Sequence, residues 1–201
     1  MANQSWVSLL NPGSPQASGA GAALSSAGTA TLSPVTGSSA DVAQIQPAGQ
    51  PYGLYAGGLY RVTAAGFITT TGTSTTATWF LASRVGNSGS TWVTLATSAG
   101  LTTGTGSLTG LQWTLNALVR CTAIATTGNT MSTQGWLQIV PVASQTIPTG
   151  TADIVLSLPN ASGETAAAVD TTQLQGISLR GTLAGSNATI QCTQWLVEAL
   201  D

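Results

Sequence analysis

Gln112-Trp113-Thr114-Leu115-Asn116-Ala117-Leu118-Val119-Arg120-Cys121-Thr122-Ala123-Ile124 alternates almost without a break. One parity carries Trp113, Leu115, Ala117, Val119, Cys121 and Ala123, and the other Gln112, Thr114, Asn116, Leu118, Arg120, Thr122 and Ile124. A helix would scatter the first set around its axis, whereas a strand places all of it on one face. The stretch therefore predicts a long strand with its first parity turned inward, and a fold built from sheets.

Outward from this stretch the texture stays the same. From about Asp41 onward, short apolar runs rich in β-branched and aromatic residues alternate with clusters of Gly, Asn, Ser and Pro, the pattern of an all-β domain. Further strands are expected at Val42 to Gln46, Leu59 to Ala64, Thr78 to Val85, Trp92 to Ala96, Gly135 to Val142, Ile154 to Leu158, Ile177 to Leu183 and Thr189 to Ala199. Turns are expected at 86–89, 100–110, 127–129, 159–163 and 185–187, where Gly and Asn offer positive φ. Helix is expected only as a short turn near Thr171 to Gln175. That many antiparallel strands predict a two-sheet sandwich of jelly-roll or related Greek-key type over 41–201, with a closed barrel as the alternative.

Two details of the C-terminal region follow from alternation. Ile177, Leu179 and Leu183 alternate with Ser178, Arg180 and Thr182, and the turn at Gly185 to Asn187 suggests a hairpin with the last strand. In that last strand Ile190, Cys192 and Leu196 share a parity with Gln194 and Glu198, and Trp195 and Val197 share the other with Thr189, Gln191 and Thr193. Neither face is cleanly polar, which suggests cover on both sides, by the second sheet and by another subunit.

Residues 1–40 read as an extended N-terminal arm. Of residues 11–40, 25 are Gly, Ala, Ser, Thr or Pro, and such a segment by itself buries too little apolar area to offset the entropy of ordering. Ahead of it Trp6-Val7-Ser8-Leu9-Leu10 forms a short apolar plug, placed either on a neighbouring subunit or on the chain's own sheet. Trp6, Val7, Leu9 and Leu10, with Trp195 and Val197, are the candidate inter-subunit contacts.

The charge content excludes much chemistry. The chain holds no Lys and no His, four Arg and six acidic side chains, with a net charge of −2. Without imidazole, Ser/His and Cys/His catalysis is impossible, as is zinc held by His; without Lys, so are Schiff-base lysines and phosphate loops that end in Lys. The arginines Arg61, Arg84, Arg120 and Arg180 are scattered singly, which argues against nucleic acid as a partner. No apolar run reaches the roughly 18 residues of a membrane span. The start has no basic residue ahead of an apolar core, so it is read as retained rather than as a secretory signal.

Carboxylate pairs could hydrolyse glycosides, but only Glu164 and Asp170 lie close in sequence, and a loop or cap role suits both better. Cys121 and Cys192 each fall in a strand-like run and are expected as buried thiols rather than a disulfide. The tryptophans Trp6, Trp79, Trp92, Trp113, Trp136 and Trp195 fit a core or subunit seam, the alternative being stacking platforms for sugars. Sequons occur at Asn3, Asn160 and Asn187. No cofactor, metal site or catalytic residue is expected, and the protein is read as not an enzyme.

The run Leu59-Tyr60-Arg61-Val62-Thr63-Ala64-Ala65-Gly66-Phe67-Ile68-Thr69-Thr70-Thr71-Gly72-Thr73 resembles a pattern of small virion proteins of tailed bacteriophages, especially those infecting actinobacteria. Ala168-Val169-Asp170-Thr171-Thr172 and Asn187 to Glu198 resemble it too. The resemblance begins at about Asp41 and contains no active site. It implies a β-sandwich virion subunit, assembled in the host cytoplasm, that decorates the head or builds a tail appendage. The expected partners are the chain itself, as a homotrimer, and the major capsid protein or other virion proteins. The alternative is a tail-fibre or receptor-binding module that recognises host glycans.

Overall fold

A computed structural model describes residues 7–9, 23–33, 43–45, 53–85, 91–140, 154–159 and 165–200. Every regular element among them is a strand: β1 (Val7–Leu9), β2 (Gly28–Thr31), β3 (Ala43–Ile45), β4 (Leu59–Thr71), β5 (Thr76–Val85), β6 (Val93–Thr97), β7 (Leu101–Thr102), β8 (Ser107–Cys121), β9 (Met131–Val140), β10 (Ile154–Leu158), β11 (Thr165–Ala167), β12 (Gln175–Leu183) and β13 (Ala188–Leu200). All pairings between them are antiparallel.

They form two sheets. One runs β1-β13-β4-β8-β9-β10, with β11 beside β10 along the same edge of β9; the other runs β2-β12-β5-β6, with β3 extending the β2 edge of β12 and β7 extending the β6 edge of β5. Taken in chain order, β1, β2, β4, β5, β6, β8, β12 and β13 deal out as first, eighth, third and sixth in one sheet and second, seventh, fourth and fifth in the other. That order is the jelly roll, and β9 to β11 widen its first sheet beyond β8.

The core lies between the sheets. On β8, Trp113, Leu115, Ala117, Val119 and Cys121 are all buried, as the alternation requires. Trp113 meets Trp79 of β5 across the interior, ring centroids 5.9 Å apart and planes tilted by 58°, a geometry that aromatic quadrupoles favour over a face-to-face sandwich. Gly66 of β4 sits in register with Trp113 on one side and Cys192 on the other. A Cβ there would lie 2.6 Å from Trp113 Cζ2 and 1.9 Å from the Gln191 carbonyl oxygen. Gly66 is therefore what allows the indole to lie flat across the sheet, and β4 continues through it to Thr71 instead of ending at Ala64.

Three expectations are corrected. β12 and β13 do not form a hairpin: β12 already has β2 and β3 on one edge and β5 on the other, so the chain crosses to the first sheet. Ala184 N–H donates to the Thr76 carbonyl and Thr71 N–H to that of Asn187, at 3.0 and 2.9 Å, fixing the crossing. Residues 171–175 make a turn and the start of β12, not a helical turn. Thr172 N–H donates to the Asp170 carboxylate at 3.1 Å, so Asp170 has its loop role, while Glu164 lies outside the described residues.

The third correction concerns the last strand. Between Cys192 and Gln194 the register with β4 slips by one residue, a β-bulge with Thr193 as the extra residue, and the side-chain parity switches there. Ile190 and Cys192 are buried before it, Val197 and Ala199 after it, and Leu196 turns outward.

Part of the low-complexity segment is built into the sandwich. β2 pairs with β12, Leu24 bridges to Ile190, and Leu24 and Leu32 are both buried in the core. Both leucines add buried apolar area, and the β2–β12 ladder holds the backbone between them. The β1 backbone pairs with β13, with Val7 opposite Leu200 and Leu9 opposite Glu198.

Cys121 and Cys192 are free and buried. Burial, the dominant cause, pushes the Cys192 thiol from its ordinary 9.0 up to about 12 against the opposing backbone hydrogen bonds at Gln194 and Ala65, and it raises Cys121 as well. Only the thiolate reacts with disulfide reagents, so the native protein at pH 8 is expected to resist labelling and to expose both thiols on unfolding. Because the unfolded thiol ionises first, stability is fully held below pH 9 and declines as pH climbs from about 9 towards 12. Rapid stoichiometric labelling of the native fold contradicts this.

Candidate functional site

The outer face of the seven-stranded sheet is wide, flat and nearly uncharged. Strand registers arrange it in rows: Gln191, Phe67, Gln112 and Val140; Gln194, Ala65, Thr114, Gln138 and Val155; Leu196, Thr63, Asn116, Trp136 and Ser157; Glu198, Arg61, Leu118 and Gln134. The ion pair of this face joins Arg61 Nη1 to Glu198 Oε2 at 3.6 Å, with the arginine side chain half exposed. A pair so open to water contributes little stability, about 0.2–1 kcal/mol, but its two charges cancel, and the further charge of this face among the described residues is Arg120, exposed one row on beside Leu59 and Ser132.

One part of this face is concave. A cleft of about 470 Å³ is lined by Trp136 and Gln134 from β9, Asn116 and Leu118 from β8, and Arg61 from β4. Asn116 stands directly opposite Trp136 in the ladder, and Leu118 directly opposite Gln134. Between them Gly135 has no side chain, and a Cβ there would meet the Asn116 carbonyl at 2.3 Å and Ala117 Cα at 2.7 Å. The two backbones come together at that point because nothing separates them. Trp136 is 48% exposed. A second cleft, of about 330 Å³, shares Leu118 and Gln134 and runs on to Arg120, Leu59 and Gly57. The two together form a groove that offers an indole, two amides and two guanidiniums.

The outer face of the other sheet carries positive charge. Arg84 and Arg180 both lie over the Trp92 ring, at 4.6 and 5.0 Å from its centroid, and Arg180 also lies 5.6 Å from that of Phe80. Partial burial, and secondarily the neighbouring Arg84 charge, lower the Arg180 pKa, and cation–π contact offsets the crowding of like charges.

The six tryptophans thus divide. Trp79 and Trp113 fill the core, Trp195 packs half-buried against it, Trp92 supports the two arginines, and Trp136 is open; Trp6 lies outside the described residues. Of the candidate inter-subunit contacts, Val197 is fully buried inside this chain's own core and Trp195 faces the same way, because the bulge turns both inward. Val7 and Leu9 are placed by backbone register at the β13 edge, and Leu10 lies outside the described residues. Sequence alone names Trp136 as one of six alternative stacking platforms and does not set it apart with Asn116 and Gln134, although Trp136 shares parity with Gln134 and Gln138, and a tryptophan among amides on one strand face signals an exposed ring.

Among the described residues no group of three or more His, Cys, Asp or Glu side chains could hold a metal ion, and no helix is long and apolar enough to cross a membrane. Compared with protein families, with curated proteins and with solved structures, the chain finds no match in any of the three.

Proposed function

We propose that the protein is a structural virion subunit of a tailed bacteriophage, a capsid decoration or minor capsid protein that assembles as a homotrimer and binds the outer head shell. The observation that carries this reading is the broad outer face of the seven-stranded sheet, whose rows of Thr, Gln, Asn and apolar side chains hold one mutually neutralised ion pair and, beyond it, the single charge of Arg120. Such a face gains affinity from shape and buried neutral area, and has little unpaired charge to desolvate. The likeness of 59–73, 168–172 and 187–198 to virion proteins points the same way.

Neutral contacts are weakly screened. Binding to purified head shells is therefore expected to change less than about threefold between low and high salt, whereas a protein held by six or more phosphate-like contacts would lose about a thousandfold. Sedimentation with shells across a salt series, with native mass measurement of the free protein, tests both claims. A steep loss with salt, or a monomer at all concentrations with no shell binding, overturns the proposal. A second reading, a receptor-binding module of a tail appendage that recognises host glycans, is favoured by one observation: the half-open indole of Trp136 beside two amide side chains.

A further inference from the structure

We infer that the groove from Trp136 to Arg120 is a binding site for a neutral oligosaccharide, with Trp136 as its stacking platform. Three features of different kinds meet there. The first is the ring: Trp136 is the one fully described tryptophan with nearly half its surface open, held on a central strand rather than a loop, with β8 on one side and β10 on the other. A rigid aromatic on a sheet costs little entropy to present, and its face matches the apolar C–H face of a pyranose ring.

The second is the polar set. Asn116 lies beside the ring and Gln134 one pleat along it on the same strand face. Each carries both a carbonyl acceptor and an amide donor, which is what a sugar hydroxyl, itself donor and acceptor, requires. Arg61 adds donors at the rim with its charge paired to Glu198 at 3.6 Å, so the Trp136 end asks for no anion, and Arg120 adds a second guanidinium at the far end of the groove. That neutrality separates the Trp136 end from the Arg84–Arg180 face, where two guanidiniums share one indole.

The third is shape. The cleft of about 470 Å³ falls in the range of small-ligand sites, and the adjoining one of about 330 Å³ continues past Leu118 and Gln134 towards Arg120. A single ring would occupy the Trp136 end, and a chain of sugars would fill both. Oligosaccharides should therefore bind more tightly than monosaccharides.

This inference concerns the isolated chain and does not depend on membership of a virion. Its test is a titration of the full-length protein, by tryptophan fluorescence and saturation-transfer NMR, with neutral β-linked glucose, galactose and N-acetylglucosamine oligomers alongside sialylated and sulfated glycans. The expected result is binding of at least one neutral oligomer, weakened about tenfold or more by Trp136→Ala, since a lost stacking contact is a contribution of that order. Asn116→Ala should weaken it several-fold and Trp136→Phe only partly, while Trp92→Ala on the opposite face leaves it unchanged. Circular dichroism of each variant confirms that the fold is retained. No binding of any neutral oligomer at millimolar concentration, binding that survives Trp136→Ala, or binding confined to acidic glycans overturns the inference. Loss of shell attachment with sugar binding intact would instead sink only the assembly reading.

Discussion

Trp113→Ala is expected to destabilise the protein by about 3–5 kcal/mol, the cost of removing a large buried aromatic and leaving its cavity. For a chain of this size that lowers the thermal midpoint by roughly 6–20 °C. The upper part of the range applies because nothing nearby can collapse into the space. Trp113 lies over Gly66, which has no side chain to move, and against Trp79, itself fully buried. Neither indole N–H has a hydrogen-bond partner. Trp113→Phe should therefore cost much less than Trp113→Ala, because it keeps an aromatic contact to Trp79 and removes a buried donor that satisfies nothing. Trp136→Ala, on the outer face, should stay within about 0.5 kcal/mol of the parent. Thermal melts of the three variants decide the matter, and a shift under about 2 °C for Trp113→Ala would mean that the two sheets are not joined through this pair.

The stretch that predicts the core does so because β8 is regular from Leu111 to Cys121 and is flanked by strands on both sides, so its alternation meets no competing rule. The limits of β10 match the expected ones, and those of β5 and β12 differ by two residues at most. Expectation and structure part where a tertiary contact overrides a local signal. Gly66 looks like a strand end because glycine commonly marks turns, and only the Trp113 ring on the neighbouring strand explains why the chain stays extended there. Leu24 and Leu32 sit in a segment too poor in apolar side chains to order itself. They are held by ladder bonds and a core supplied from residues more than a hundred positions away.

The groove was harder to see than the core for a similar reason. Alternation on β9 alone puts Trp136 on the amide side, which is a local and legible fact. What makes a site of it is the register that brings Asn116 opposite Trp136 and Leu118 opposite Gln134, and the position of Arg61 one strand further on. Register is a property of the paired strands, set by burial and by turns elsewhere, and one strand's sequence does not contain it. The inward turn of Trp195 and Val197 is absent from their own alternation on the same account, because one inserted residue moves every later side chain to the other face.

That bulge makes the largest contrast between neighbouring positions that the fold can offer. Val197→Asp places a carboxylate among the fully buried side chains of the core, in register with Val62, which is also fully buried. A charge there has no partner, and breaking burial in this way costs about 3–5 kcal/mol or forces the carboxyl to remain protonated. Leu196→Asp, one residue earlier, points outward beside Thr63 and close to Arg61, and costs under about 1 kcal/mol. Unbroken alternation from Ile190 would put Leu196 inside and Val197 outside, and the order of the two effects would then be reversed. The penalty at Val197 should also shrink as pH falls towards 4, where an aspartate can take up its proton, and no such relief should appear at Leu196. Urea unfolding of both variants at pH 7 and pH 4 reads the contrast directly. Equal losses, or a greater loss at Leu196, would remove the bulge at Thr193, and with it the assignment of Val197 and Ala199 to the core.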